Sequence, residues 1–203
     1  MLAFAHIPKT AGSSFRKALT EVYGKRLVLD YEVMKRRELS PLRMKLDAVM
    51  RRLRAPRAQV IYGHFPLGKY RGLAGRFGAF FREPIDRTMS NYFYTERTHI
   101  EPLAYIATPK VVRFYEFYLG GLTIERLDFV GITEEYDRSC RLFEAIFGRP
   151  LPRFRERVGI NLDYHRWLEE HGCLEAACQA QSANRQIYDA ARRRFESLCQ
   201  RYL

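Results

Sequence analysis

Cysteine and tryptophan are scarce in this 203-residue chain, which has four of the first and one of the second. Cys140, Cys173, Cys178 and Cys199 have no metal-ligand spacing, and Cys173 and Cys178 are too far apart for a Cys-x-x-Cys pair. They are expected to be reduced and mostly buried, which excludes a disulfide scaffold. No apolar run approaches the length of a membrane span. Met1 leads almost directly into the first apolar strand candidate, with no secretory leader, so a cytoplasmic protein is expected. Acidic residues are outnumbered, 23 against 35 basic, for a net charge of +12. That balance attracts polyanions, but no recognisable nucleic-acid-binding motif accompanies it, so no specific nucleic acid is expected as partner. Internal repeats, low-complexity tracts and linkers are all missing. With 47% apolar residues, the chain reads as a single domain over residues 1–203 with a real core.

What is present alternates between short apolar runs and helix-period segments. Strands are expected at Leu2–Ile7, Arg26–Tyr31, Gln59–Tyr62, Arg76–Phe81 and Phe129–Ile132. Helices are expected at Ser14–Tyr23, Pro41–Arg54, Pro84–Thr95, within Pro109–Tyr118, at Glu134–Phe147, and from Ser182 to the C-terminal region. Near-continuous apolar strands suit a parallel sheet covered on both faces. The fold class is therefore α/β, a P-loop-like three-layer arrangement with a central, mainly parallel sheet flanked by helices. On the segment Pro41–Arg54, Leu42, Leu46, Val49, Met50 and Leu53 recur at helical spacing and read as a core face, with Arg51, Arg52 and Arg54 on a basic one. Basic residues crowd Lys35–Arg57 and Arg192–Arg194. On the last helix, Ile187, Tyr188, Ala191, Phe195, Leu198 and Tyr202 form a core stripe.

The most informative stretch is Leu2-Ala-Phe-Ala-His-Ile-Pro-Lys-Thr-Ala-Gly-Ser-Ser-Phe15. Strand, small-residue loop and helix follow one another. The backbone N–H groups at a helix N-terminus lack intrahelical partners and favour an anion. Lys9 adds a mobile cation and Gly12 lets the backbone come close. No Gly-Lys-Ser/Thr closes the loop, so this is not a Walker A motif. By itself the pattern fits a phosphate site or an ordinary strand–turn–helix. A second strand–helix junction is Phe80-Phe-Arg-Glu-Pro-Ile-Asp-Arg-Thr-Met-Ser-Asn-Tyr92, with Pro84 suited to a first helical turn. A third is Gln59-Val-Ile-Tyr-Gly-His-Phe-Pro66. It puts Gly63 and His64 at the C-terminal edge of a strand, where open α/β sheets bind ligands.

His-Ile-Pro-Lys-Thr-Ala-Gly-Ser-Ser-Phe resembles the 5′-phosphosulfate loop of carbohydrate-type sulfotransferases, the family that includes the heparan sulfate 2-O-sulfotransferases. These enzymes draw a sulfuryl group from 3′-phosphoadenosine 5′-phosphosulfate (PAPS). The second motif resembles their 3′-phosphate element, an arginine at a strand end followed eight residues later by a serine, here Arg82 and Ser90. The resemblance implies that Lys9, Thr10, Ala11, Gly12, Ser13 and Ser14 cradle the 5′-phosphosulfate and that Arg82 and Ser90 hold the 3′-phosphate. It also implies that His64 is the catalytic base, with Lys9 stabilising the leaving phosphate. Arg87 also falls where that family has an arginine, free to bind phosphate or to pair with Glu83 or Asp86. Asp128–Asp137 resembles the strand-plus-helix element that follows, and Arg157–Asn161 loosely resembles a loop that closes over the nucleotide. No metal is expected. The acceptor is expected to be a carbohydrate or small metabolite, bound near His64 and the aromatic-rich segment Tyr94–Gly121. That segment reads equally as a lid and as core; Glu96 and His99 within it fit a second catalytic role or a charged helix end. A P-loop-like nucleotide or small-molecule kinase is the alternative enzyme, and a non-catalytic polyanion-binding protein the alternative class.

Overall fold

The computed structural model describes residues 1–31, 40–95, 99–154 and 162–203. The motif-like stretch Arg157–Asn161, the residue Glu96 and part of the basic run Lys35–Arg57 lie outside these. Five strands form one sheet: β1 (Leu2–Ala5), β2 (Leu27–Asp30), β3 (Val60–Gly63), β4 (Arg76–Phe81) and β5 (Phe129–Ile132). Their order is β2-β3-β1-β4-β5 and every pairing is parallel. Each residue of β1, β3 and β5 is buried, which is why these strands read as unbroken apolar runs rather than alternating ones.

Helices cover the sheet. In chain order they are α1 (Gly12–Tyr23), α2 (Pro41–Arg54), α3 (Pro84–Tyr94), α4 (Pro102–Ile106), α5 (Pro109–Val112), α6 (Phe114–Leu119), α7 (Tyr136–Phe147), α8 (Tyr164–Glu170), α9 (Leu174–Ala180) and α10 (Ser182–Tyr202). Phe15 of α1 packs on Phe4 at 4.8 Å and on Phe80 at 4.9 Å, and Phe143 of α7 meets Phe15 at 5.2 Å. These rings seat α1 and α7 on one face of the sheet. Tyr115 of α6 packs on Phe81 at 5.3 Å, and α10 lies against α6 and β5. A second, smaller apolar cluster sits under α3, with Ile85, Met89 and Tyr92 against Tyr105, Ile106 and Leu168.

Several elements differ from the sequence reading. β1 ends at Ala5, because His6 and Ile7 already belong to the loop, and α1 starts at Gly12 rather than Ser14. A short 3-10 turn, Thr133–Glu135, precedes α7, so the acids at 134 and 135 lie before the helix. Where one helix is expected within Pro109–Tyr118 there are two short ones, α5 and α6, and α4 precedes them. Tyr105, Tyr115 and Tyr118 are core, while Tyr94 and Phe117 are exposed. Of the four free cysteines, Cys140 and Cys199 are buried, Cys173 is half-buried and Cys178 is exposed. On α10 the expected stripe is buried except at Ile187, which packs at the core margin, and Tyr202, which is exposed.

The largest departure concerns α2. Its apolar stripe, Leu42, Leu46, Val49, Met50 and Leu53, faces solvent, and Ala48 is its one buried residue. The inner side is held by charge. Lys69, buried just beyond β3, donates to Asp30 at 2.5 Å and to Asp47 of α2 at 2.6 Å. Arg51 reaches Asp47 at 2.9 Å and Asp30 at 3.4 Å, and the Tyr70 hydroxyl donates to Asp30 at 2.8 Å. Partial burial pushes the Asp47 carboxyl up, but hydrogen bonds and charge from Lys69 and Arg51 outweigh it and hold the group below the usual carboxylate range. Removing one partner of such a network leaves buried charge uncompensated. Lys69→Met is therefore expected to lower stability by about 3–5 kcal/mol, as read from urea unfolding monitored by circular dichroism.

Candidate functional site

Parallel pairing brings three strand ends to one edge. Ala5 lies opposite Gly63 on one side and Ala79 on the other. The chain after β1 turns to one side of it, through β2 and β3, and then crosses to the other side for β4 and β5. A crevice at such a switch point is the expected ligand site of an open α/β sheet. Into it project the loop His6–Ala11, the Gly63–His64 corner and Arg82.

The loop is built without a glycine at its bends. Lys9 (φ 70°) and Ala11 (φ 60°) hold left-handed backbone, the two non-glycine residues to do so among those described. Left-handed backbone costs an L-residue roughly 1–2 kcal/mol, and such outliers cluster at functional sites. The Thr10 hydroxyl is buried and donates to the Ile7 carbonyl at 2.8 Å, so it closes the loop and is not presented to a ligand. α1 then begins with no side-chain cap and no acid in its first turn, while α2, α3 and α8 are capped by Ser40, Glu83 and Asp163. No side chain caps the start of α1 at Gly12, Ser13 and Ser14, an end whose geometry and dipole could hold an anion.

Gly12 has a more specific purpose than flexibility. A Cβ there would stand 1.8 Å from Nε2 of His6. The His6 ring fills that space and stacks on Tyr62 at 5.2 Å and on His64 at 4.3 Å. Tyr31 closes the group, its hydroxyl 3.1 Å from His6 Nδ1 and its ring edge-on to His64 at 4.8 Å. Tyr62 donates to the Gly12 carbonyl at 2.7 Å and so ties β3 to the start of α1. A side chain at Gly63 would collide with the Asp30 carbonyl, at 1.7 Å, so only glycine lets β3 end where it does and deliver His64.

Nδ1 of His64 lies 2.5 Å from the His6 carbonyl. A carbonyl can only accept, so Nδ1 carries the proton and the neutral ring keeps its lone pair on Nε2. Burial lowers the His64 pKa; the hydrogen bond to the His6 carbonyl opposes the shift and the charge of Arg16 adds to it. Burial, followed by the His64 and Arg16 charges, holds His6 still further below the ordinary imidazole value. His64 is therefore neutral and able to accept a proton at neutral pH. His6, Tyr31, Tyr62 and Arg16 carry this arrangement, and sequence reasoning named none of them as site residues; the signal was a histidine at each of two adjacent strand ends.

The second motif meets the first. A guanidinium nitrogen of Arg82 is 3.5 Å from the Lys9 carbonyl, and Tyr115 bridges to the Arg82 backbone. The Lys9 ammonium lies over the Tyr94 ring at 3.9 Å. Tyr94 is one helical turn beyond Ser90 on α3, so the buried Ser90 belongs to the helix face turned to the loop. Arg87 pairs with neither Glu83 nor Asp86 among the described residues. It is buried, stacks on Phe114 at 3.7 Å and donates to Thr88 at 2.7 Å, with one guanidinium nitrogen lacking a partner. Glu83 instead accepts from the Asp86 N–H at 2.7 Å, faces His165 at 3.3 Å and pairs with Arg185, clamping the start of α3 to α8 and α10. Burial and the Glu83 charge push the Asp86 carboxyl up. Glu83, Asp86 and His165 offer ligand atoms within 4.8 Å of one another, and in this structure they serve as that clamp. His99 is exposed.

A cleft of about 510 Å³ opens beside Ala11 and Ser14, walled by Thr133–Arg138, Arg141 and Phe154. Thr133 donates to the Phe81 carbonyl at 2.9 Å and Glu134 accepts from the Glu83 N–H at 2.8 Å, so this wall adjoins the Arg82 corner.

No family model and no curated protein matches the chain. The site is therefore read from its own geometry. Gly12→Ala is expected to displace the His6 ring and destabilise the fold by about 1–3 kcal/mol, the usual cost of overpacking, with the imidazole proton resonances of both His6 and His64 shifted in NMR spectra.

Proposed function

We propose that this chain is a PAPS-dependent sulfotransferase. The observation that carries the reading is the neutral His64, with Nδ1 pinned and its lone pair on Nε2, beside an uncapped loop–helix junction against which Arg82 also lies. A base, a phosphate cradle and a second cationic corner are the three parts that transfer from a doubly phosphorylated nucleotide requires. The donor supplies an activated sulfuryl group, whose S–O bond to the 5′-phosphate breaks as the bond to the acceptor oxygen or nitrogen forms. His64 takes the acceptor proton at Nε2, and the His6 carbonyl holds the ring at Nδ1 as charge grows on it. Lys9 and the N–H groups of Gly12, Ser13 and Ser14 bind the 5′-phosphate end and offset the charge left on it. Arg82 and Ser90 bind the 3′-phosphate; a guanidinium fork suits two phosphate oxygens at once. The cleft from Ser14 to Phe154, of a size usual for small-molecule sites, takes the nucleoside half.

The rival reading, a kinase on the same architecture, has less support. β3, beside β1, ends at Gly63 and leads directly into His64, not into an aspartate of the kind that holds magnesium in P-loop phosphate-transferring enzymes. The acceptor is proposed to be a carbohydrate or small hydroxylated metabolite.

Sulfate transfer from radiolabelled PAPS into a glycan and metabolite panel tests the proposal. His64→Ala is expected to cut turnover by about 10²–10⁴-fold while leaving donor affinity nearly intact; unchanged turnover would remove His64 from the role. Because the His64 pKa is lowered, its base form persists to more acid pH than a free imidazole. The acid limb of kcat/KM is therefore expected to have its midpoint below 6.5 and to disappear in His64→Ala.

A further inference from the structure

Among the described residues the exposed face of α2 has no partner, and we infer that it docks on an anionic lipid bilayer. This rests on surface chemistry and is independent of the sulfotransferase reading. Leu42, Leu46, Val49, Met50 and Leu53 are between 39% and 67% exposed. At 100° per residue they fall on one stripe about 100° wide. Arg43 and Arg54 border it on one side, and Lys45 and Arg52 on the other. Arg43, Lys45 and Arg54 are exposed, while Arg52 reaches back to the carbonyls of Ala55 and Pro56 at 3.2 and 2.6 Å. The one acid of the helix, Asp47, is turned inward to Lys69 and Arg51. The outward half of α2 is therefore apolar and basic with no acid at all. Across a groove of about 600 Å³ from Met44 and Lys45, α6 presents a further exposed aromatic, Phe117. Glu116 beside it is neutralised by Arg113 at 2.7 Å.

An amphipathic helix with an apolar stripe between basic borders lies in the interface of an anionic membrane, its stripe among the acyl chains and its borders among the headgroups. None of the helices described is long and apolar enough to cross a membrane, so the contact is peripheral. Other occupants fit less well. A second copy on the same face would set basic borders against basic borders with no acid to pair them. Nucleic acid would satisfy the borders but offer nothing to five apolar side chains. The inward ion network explains how the helix is held while this face stays open.

Vesicle flotation of the whole chain tests the inference, using phosphatidylcholine alone and phosphatidylcholine with about one-third phosphatidylglycerol. Binding is expected to the anionic vesicles only and to weaken as salt is raised. The double variant Leu46→Glu/Leu53→Glu is expected to bind at least about tenfold more weakly with an unchanged melting temperature, since both side chains are exposed. Arg43→Glu/Arg54→Glu, with the stripe intact, is expected to weaken binding in the same direction. Failure to bind anionic vesicles, equal binding to neutral ones, or binding that both variants leave unaltered would overturn the inference. So would a dimer in sedimentation velocity that Leu46→Glu/Leu53→Glu dissociates, because a second copy would then cover the face.

Discussion

Parallel pairing on both sides of β1 is the constraint on which the rest depends. With β3 on one side and β4 on the other, the sheet delivers His6, His64 and Arg82 to one edge although they are scattered over some eighty residues of chain. The aromatic packing of Phe15 on Phe4 and Phe80 then fixes where α1 starts, and so where its first-turn N–H groups point. Neither the loop nor the base has to be positioned by side-chain contacts alone, because the backbone ladder does most of that work. The close approach at Gly63 is part of the same constraint: β3 can run to its last residue only if no side chain meets the Asp30 carbonyl.

Within that frame the chemistry is concentrated in a stack of rings. His6 lies between Tyr62 and His64, sits on Gly12 and offers its carbonyl to His64. One residue therefore couples the loop proposed to bind an anion to the ring proposed to accept a proton. Burial keeps both imidazoles neutral, and a cation one turn into α1, Arg16, reinforces this. A neutral imidazole beside N–H donors is electrostatically consistent with the proposed role: a polyanion can be held there without a second positive charge on the group proposed to take up the proton.

Much of this was legible in the sequence, for reasons that differ by element. β4, β5 and α2 fall on the residues their composition marks, because buried parallel strands are continuously apolar and Ser40-Pro41 is an explicit helix start. In 102–119 the sequence marks one segment within Pro109–Tyr118, and it marks none in 164–180: these helices are too short for periodicity to declare itself, and their aromatics divide between two cores. α2 was bounded well and oriented wrongly. Its apolar stripe has the spacing of a core face, and nothing local announces that Lys69, Asp30 and Tyr70 converge to hold the opposite side. Gly12 lies in the motif that the sequence marks, but the ring it makes room for, His6, comes from the start of the same loop and leaves no local sign in the sequence. Arg87 carries the charge of a phosphate ligand, yet it is buried against Phe114 of α6, a contact between separate helices that its own motif does not announce.

The central claim is that the Arg82 corner and the α1 N-terminus form one site for a nucleotide phosphorylated at both ends. Calorimetric titration with 3′-phosphoadenosine 5′-phosphate, run beside ADP and beside ATP with magnesium, tests it most directly. Preferential binding of the 3′-phosphorylated nucleotide is expected, with the preference lost in Arg82→Ala while ADP binding is little changed. Equal affinity for ADP, or a preference that survives Arg82→Ala, would contradict it.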